Sequence, residues 1–141
     1  MSTRGACLVI EDDADIQGLI SLILSAEGFE VHSVETGTAG LLAASQQQLA
    51  LITLDLGLPD VDGREVARQL RTVSSAPLLM ITAFAETADE LAGMAAGASA
   101  YLTKPFRPAQ LRALVTELSP APPTSGFAGP AARGRWREQG S

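Results

Sequence analysis

The chain has 141 residues, room for one domain and a short appendage. With 46% hydrophobic and 18% charged residues it can fill a core, which excludes a wholly disordered chain. Ten basic against 16 acidic residues give a net charge of −6, which argues against nucleic acid binding by the bulk surface, and the single cysteine excludes an intrachain disulfide or a multi-cysteine metal site.

A strand opens the order of elements at Cys7–Ile10, a short apolar run. Ile16, Leu19, Ile20, Ile23 and Leu24 then recur at helical spacing, with Asp13 as N-cap and Gly28 as the stop. Glu30–Val34 mixes apolar and polar residues and reads as a half-exposed strand at an edge. Thr36 caps a weaker second helix through Leu41, Leu42 and Ala44. Leu49–Leu54 is nearly all apolar, as strands covered on both faces are. Leu56–Gly63 is a loop, and Val66, Ala67 and Leu70 mark a third helix. Leu78–Ile81 is a second buried strand, and Leu91, Met94 and Ala95 give a fourth helix ended by Gly97. Tyr101-Leu102 is a short strand, and Pro108 opens a fifth helix through Leu111, Leu114, Val115 and Leu118. Five βα units imply an α/β fold, a parallel sheet with helices on both faces.

Composition changes near Ser119. Half of the eight prolines lie beyond it, with Gly126, Gly129, Gly134 and Gly140. The predicted division is a domain over 1–118 and a Pro/Gly-rich flexible linker or tail over 119–141. The tail carries Arg133, Arg135 and Arg137 against Glu138, a net +2; the body has 7 basic and 15 acidic residues, a net −8. The Arg-Gly-Arg-Trp-Arg run reads as a solvated tail rather than an RNA contact. No segment reaches the about 18 consecutive apolar residues of a membrane helix, and no signal-peptide core precedes Glu11, so the expected setting is cytoplasmic.

Ligands of such sheets sit at the carboxyl ends of the strands. Glu11, Asp12 and Asp13 follow the first strand, Asp55 the third, Thr82 the fourth, and Lys104-Pro105 the fifth. Singly, each has an ordinary use: Asp13 as a cap, Asp55 as a loop carboxylate, Thr82 in a turn, Lys104 in solvent. Gathered at one edge, the carboxylates repel unless a cation sits among them, and all-oxygen ligands suit Mg²⁺. Lys104 adds a point charge for an anion and Thr82 a hydroxyl donor. Together these are the parts for phosphoryl transfer onto a carboxylate. His32 and Cys7 read as a surface residue and a small core residue.

The chain resembles the receiver domain of bacterial two-component response regulators over about residues 5–118. The resemblance rests on Leu8-Val9-Ile10-Glu11-Asp12-Asp13, Leu54-Asp55-Leu56-Gly57-Leu58-Pro59-Asp60-Val61-Asp62-Gly63, Met80-Ile81-Thr82-Ala83, Gly97-Ala98, and Tyr101-Leu102-Thr103-Lys104-Pro105-Phe106. It implies a CheY-like, flavodoxin-like doubly wound sheet in the order 2-1-3-4-5. It implies that Asp55 accepts a phosphoryl group from a sensor histidine kinase or phosphotransfer protein. Mg²⁺, or Mn²⁺ in its place, is then held by Asp12 and Asp55, by Glu11 through water, and by the Gly57 backbone carbonyl. Lys104 pairs with Asp55 and later with the phosphoryl oxygens, which Thr82 and the Ala83 amide also meet. Tyr101 follows inward as the second switch residue and repacks the face of the fourth helix, fifth strand and fifth helix, where self-association or an effector is expected.

The loop and the Lys-Pro-Phe segment are most similar to the subfamily with winged-helix output. Ser99 and Ala100 stand where that subfamily usually has aspartates, and the fourth helix reads Leu91-Ala92-Gly93-Met94-Ala95-Ala96, so its charged dimer is not expected. Phe84 and Gly57, each two residues past a site residue, offer no group to orient water, which implies a long-lived phosphoryl state. A phosphatase with an Asp nucleophile needs an acid where Gly57 stands. The remaining alternative is an interaction module independent of phosphorylation. No specific nucleic acid binding is expected of this chain alone, and no turnover of an external substrate.

Overall fold

Alternation along the strands sorts this chain into two cores. A computed structural model describes residues 4–83 and 94–120. The elements are β1 (Ala6–Ile10), α1 (Ala14–Ala26), β2 (Glu30–Val34), α2 (Gly37–Gln46), β3 (Leu51–Leu54), α3 (Gly63–Val73), β4 (Leu78–Thr82), β5 (Ala100–Thr103) and α4 (Pro108–Leu118), the last being the fifth predicted helix. The strands pair in parallel in the order β2-β1-β3-β4-β5. Leu8, Ile10, Ile52, Leu54, Leu78 and Met80 face one side and pack with Ala44 of α2 and Val66, Ala67 and Leu70 of α3. Cys7, Val9, Leu51, Leu79, Ile81 and Leu102 face the other and pack with Ile20, Ile23 and Leu24 of α1 and Leu111 and Val115 of α4. This is the period of two expected of strands buried on both faces. Each large aliphatic side chain fully buried there is worth about 1.5–3 kcal/mol.

Local chemistry sets the helix ends. Asp13 Oδ1 accepts from the Asp15 and Ile16 amides, and Thr36 Oγ1 from the Ala39 amide. After α1, Gly28 takes φ +101°; its N–H donates to Ser25 and the Phe29 N–H to Leu24. That paired return is the Schellman stop, and it needs a residue at ease with positive φ. β2 lies at the sheet edge as predicted, and His32 is half-exposed there, its Nε2 3.8 Å from Glu30. Cys7 is fully buried, which pushes its thiol up to about 12.

Some boundaries differ from expectation. β3 begins at Leu51 rather than Leu49, although Leu49 stays buried. Gly63 is not loop but the first residue of α3, because the Asp62 carboxylate caps the helix by accepting from the Arg64 amide. Thr82 is the last residue of β4, not the first beyond it. Of the fourth predicted helix, Met94 and Ala95 are helical and Gly97 ends it at φ +118°; Phe84 and Leu91–Gly93 lie outside the described residues, as do 121–141 with the arginines of the tail. Among the described residues no helix is long and apolar enough to cross a membrane.

Arg4 fastens the start of the chain to the end of α4. Its N–H donates to Gly28 O at 2.9 Å, its guanidinium lies 4.6 Å from the Phe29 ring centroid and 3.3 Å from Glu27 Oε1, and Nη2 donates to the Ser119 carbonyl.

Candidate functional site

Parallel pairing delivers the predicted residues to one edge. Beyond the strands proper, the Glu11 N–H donates to Val34 O at 3.0 Å, Asp55 N–H to Ile10 O at 3.1 Å, and Lys104 N–H to Thr82 O at 2.8 Å. Each site residue is therefore the next rung of the sheet, and its backbone is as fixed as a strand's.

Glu11 and Asp55 are buried, and Asp12 is exposed at the rim. Oxygens of the three carboxylates lie within 4.8 Å of one another. Lys104 Nζ reaches in between, 2.8 Å from Glu11 Oε1 and 3.1 Å from Asp55 Oδ2. The other Asp55 oxygen, Oδ1, accepts from the Gly57 amide at 3.0 Å, and Glu11 Oε2 accepts from the Asp13 amide at 3.2 Å. The Lys104–Pro105 peptide bond is cis.

Burial, with the nearby Asp55 charge adding to it, pushes the Glu11 carboxyl up to about 7, against the opposing pull of Lys104 and the Asp13 amide. Burial alone would lower the Lys104 ammonium; contact with Glu11 and Asp55 outweighs it and holds the group above its usual range. Lys104 is therefore cationic, a fixed positive charge among the three carboxylates. Three converging carboxylates, one of them resisting ionisation because it is buried, fit a hard divalent cation with oxygen ligands.

Thr82 is fully buried at the end of β4, and Ala83 follows it exposed. Tyr101 is half-buried on β5, in register with Met80, against the α2–α3 core. The structure thus gathers Glu11, Asp12, Asp55, Gly57, Thr82, Ala83 and Lys104 along one edge, with Tyr101 on the neighbouring strand. Asp13 belongs to the helix cap. At Ser99, the N–H donates to Leu78 O at 2.7 Å and Oγ accepts from the Leu78 N–H at 3.1 Å, so this residue serves the sheet.

Two contributors have no role in the sequence reading. Gln17 Nε2 donates to the Glu11 carbonyl at 3.0 Å and the Val34 carbonyl at 3.1 Å, tying the ends of β1 and β2. Asp60 reaches out of the loop after Asp55 to the start of α2. A polar side chain between Ile16 and Leu19 is the only local signal for the first; the second depends on contacts between positions 22 and 23 residues apart, which spacing does not reveal.

The family model described as response regulator receiver domain matches residues 7–116. The DNA-binding response regulator MtrA of Mycobacterium tuberculosis H37Rv is 38% identical over 112 residues, 79% of this chain and 49% of MtrA. The chain spans about half the length of the curated relatives it matches. Among solved structures, a CheY-like receiver domain protein of Methanospirillum hungatei superposes with a TM-score of 0.77 at 29% identity, over 82% of this chain and 93% of that one. The receiver domain of the Pseudomonas aeruginosa sensor histidine kinase PA1611, with magnesium coordinated in its active-site cleft, gives 0.74 at 28%, over 85% and 100%.

Proposed function

The chain belongs to the response regulator receiver family of two-component signalling, and from that premise we propose that Asp55 is its phosphoacceptor. An Asp55 carboxylate oxygen attacks the phosphorus of a phosphohistidine on a sensor kinase or phosphotransfer protein; the new O–P bond forms as the P–N bond breaks, and the electron pair returns to the imidazole. The observation that carries this reading is the Lys104 ammonium between Glu11 and Asp55, with Asp12 at the rim.

Asp12 and Asp55, Glu11 through water, and the Gly57 carbonyl are the residues to hold Mg²⁺, or Mn²⁺. Bound there, the cation offsets the charge of the phosphoryl oxygens. Lys104 keeps the Asp55 carboxylate oriented before transfer and meets the phosphoryl oxygens after it. A phosphoryl group brings a charge of about −1.5 to −2 and three acceptors. Thr82 and the Ala83 amide answer those acceptors, and Tyr101 moves inward, so one edge event biases two packing states of β4 and β5.

The protein acts as a switch rather than as an enzyme on an outside substrate; Gly57 supplies no acid for a phosphatase. Composition supports a receiver over 1–118 and a linker or tail over 119–141, and the family's setting is cytoplasmic. The body's net charge of −8 argues against specific nucleic acid binding by these residues alone. The β5–α4 face, with the fourth predicted helix of which only Met94 and Ala95 are described, is the surface for an effector or a second copy.

The test is incubation with Mg²⁺ and acetyl phosphate, reading intact mass beside Asp55→Asn. One added phosphoryl group, lost in the variant, is the expected result. No adduct from this or a second donor favours the phosphorylation-independent module.

A further inference from the structure

Asp60 stands on the far limb of the loop that begins with Asp55. Its carboxylate turns away from that loop and takes three donors from the first turn of α2: the Gly37 amide on Oδ1 at 2.9 Å, and on Oδ2 the Thr38 amide at 3.0 Å and the Thr38 hydroxyl at 2.7 Å. The Thr38 amide and hydroxyl, with the Gly37 amide, hold the Asp60 carboxyl down at about 2, so it is ionised throughout the neutral range. α2 already has its own cap in Thr36, so the loop residue adds a tie between elements rather than the helix's only start.

The near limb of the loop is fixed as firmly. The Asp55 N–H continues the β1–β3 ladder, Leu56 and Leu58 are buried, and the first residue of α3 abuts the loop backbone. Between these anchors lies Gly57, whose amide donates to Asp55 Oδ1. The far limb of the same loop is held to α2 by Asp60.

We propose that Asp60 is a positioning residue for the candidate site: by clamping the loop to the start of α2, it keeps the Gly57 amide aimed at one Asp55 oxygen and sets the loop's part in cation binding. The inference rests on the reading of Asp55 as phosphoacceptor. It gives α2, which contributes no site residue, a mechanical connection to the loop.

The test compares the full chain with Asp60→Ala, Asp60→Asn and Thr36→Ala. Thr36→Ala removes a cap from the same helix without touching the loop. Three quantities are read: the Gly57 amide resonance in ¹⁵N-labelled protein, the dissociation constant for Mg²⁺ alone by calorimetry, and the rate of phosphorylation by acetyl phosphate from intact mass. Asp60→Ala should move the Gly57 resonance, weaken Mg²⁺ binding about tenfold, and slow phosphorylation, as losing a residue behind a metal ligand does. Asp60→Asn, which keeps one acceptor oxygen, should fall between, and carries the test if the alanine variant does not fold. Thr36→Ala should match wild type in all three. An unmoved Gly57 amide with Mg²⁺ affinity within about twofold of wild type overturns the proposal, as does a Thr36→Ala variant with the same losses. If wild type takes no phosphoryl group, the Asp55 reading falls, while the resonance and Mg²⁺ comparisons still decide Asp60.

Discussion

Lys104 Nζ stands closer to Glu11 Oε1, at 2.8 Å, than to Asp55 Oδ2, at 3.1 Å. The lysine is therefore the counter-charge of two buried carboxylates and not the partner of one. Anything that draws it toward a newly attached anion on Asp55 also loosens it from Glu11.

Replacing Lys104 by Met leaves Glu11 and Asp55 facing each other across a pocket with no cation. Without divalent metal, the variant should lose about 1–3 kcal/mol of stability near neutral pH, discounted from the cost of breaking a fully buried pair because Lys104 is part-exposed. The loss should be larger at pH 8 than at pH 6, where protonation relieves the repulsion. Urea midpoints in chelator at both pH values check it.

Glu11 titrates at about 7 in the fold against 4.5 ordinarily. A carboxyl with a raised folded pKa releases its proton more readily when unfolded. Its contribution to stability is thus greatest below about pH 4.5, falls as pH rises toward 7, and is level above. Asp60, held down at about 2 from 3.8, has the opposite sign: its contribution is present above 3.8 and is lost as pH falls toward 2. Metal-free denaturation curves of wild type, Glu11→Gln and Asp60→Asn across this range should separate the two, and Mg²⁺ should flatten only the Glu11 slope.

Two glycines should respond to alanine with opposite signs. A Cβ on Gly63 would lie 2.5 Å from Leu56 Cα and 3.0 Å from the Asp55 carbonyl oxygen, both backbone atoms that cannot swing aside. Gly63→Ala should cost about 1–3 kcal/mol and weaken Mg²⁺ binding by displacing the loop. Gly18, inside α1, has nothing within 4 Å of that position, so Gly18→Ala should add up to about 1 kcal/mol. Thermal unfolding of the pair decides this.

Arg4→Met keeps the stem but removes the charge over Phe29, the Glu27 ion pair and the bond to Ser119. A loss of about 1–2 kcal/mol is expected in chemical denaturation. Hydrogen exchange should rise first in the last turn of α4.

Much of this architecture was legible because the strands are covered on both faces. Leu78–Ile81 could be no surface segment, and Val31 and Val34 among polar residues marked an edge. The placement of the candidate site was legible for a topological reason: parallel strands end together, so Glu11, Asp55, Thr82 and Lys104, each just at a strand's end, fall along one edge. Boundaries were read less well where a side chain decides them. Gly63 looks like a loop residue until the Asp62 carboxylate is seen capping the helix it begins. The ties made by Gln17 and Asp60 were hidden because they join segments distant in the chain through single polar contacts, which leave no period.

The Arg4 contact joins a residue just before β1 to the residue just after α4. Both points lie at the amino-terminal end of the strands, while Asp55 stands at the carboxyl-terminal end. A five-residue strand is roughly 17 Å long. Ser119 thus stands at the opposite pole of the sheet from the Asp55 carboxylate. Under the proposed reading, a phosphoryl charge on Asp55 would reach the Ser119 end only through side chains displaced between the poles, as force travels along a lever.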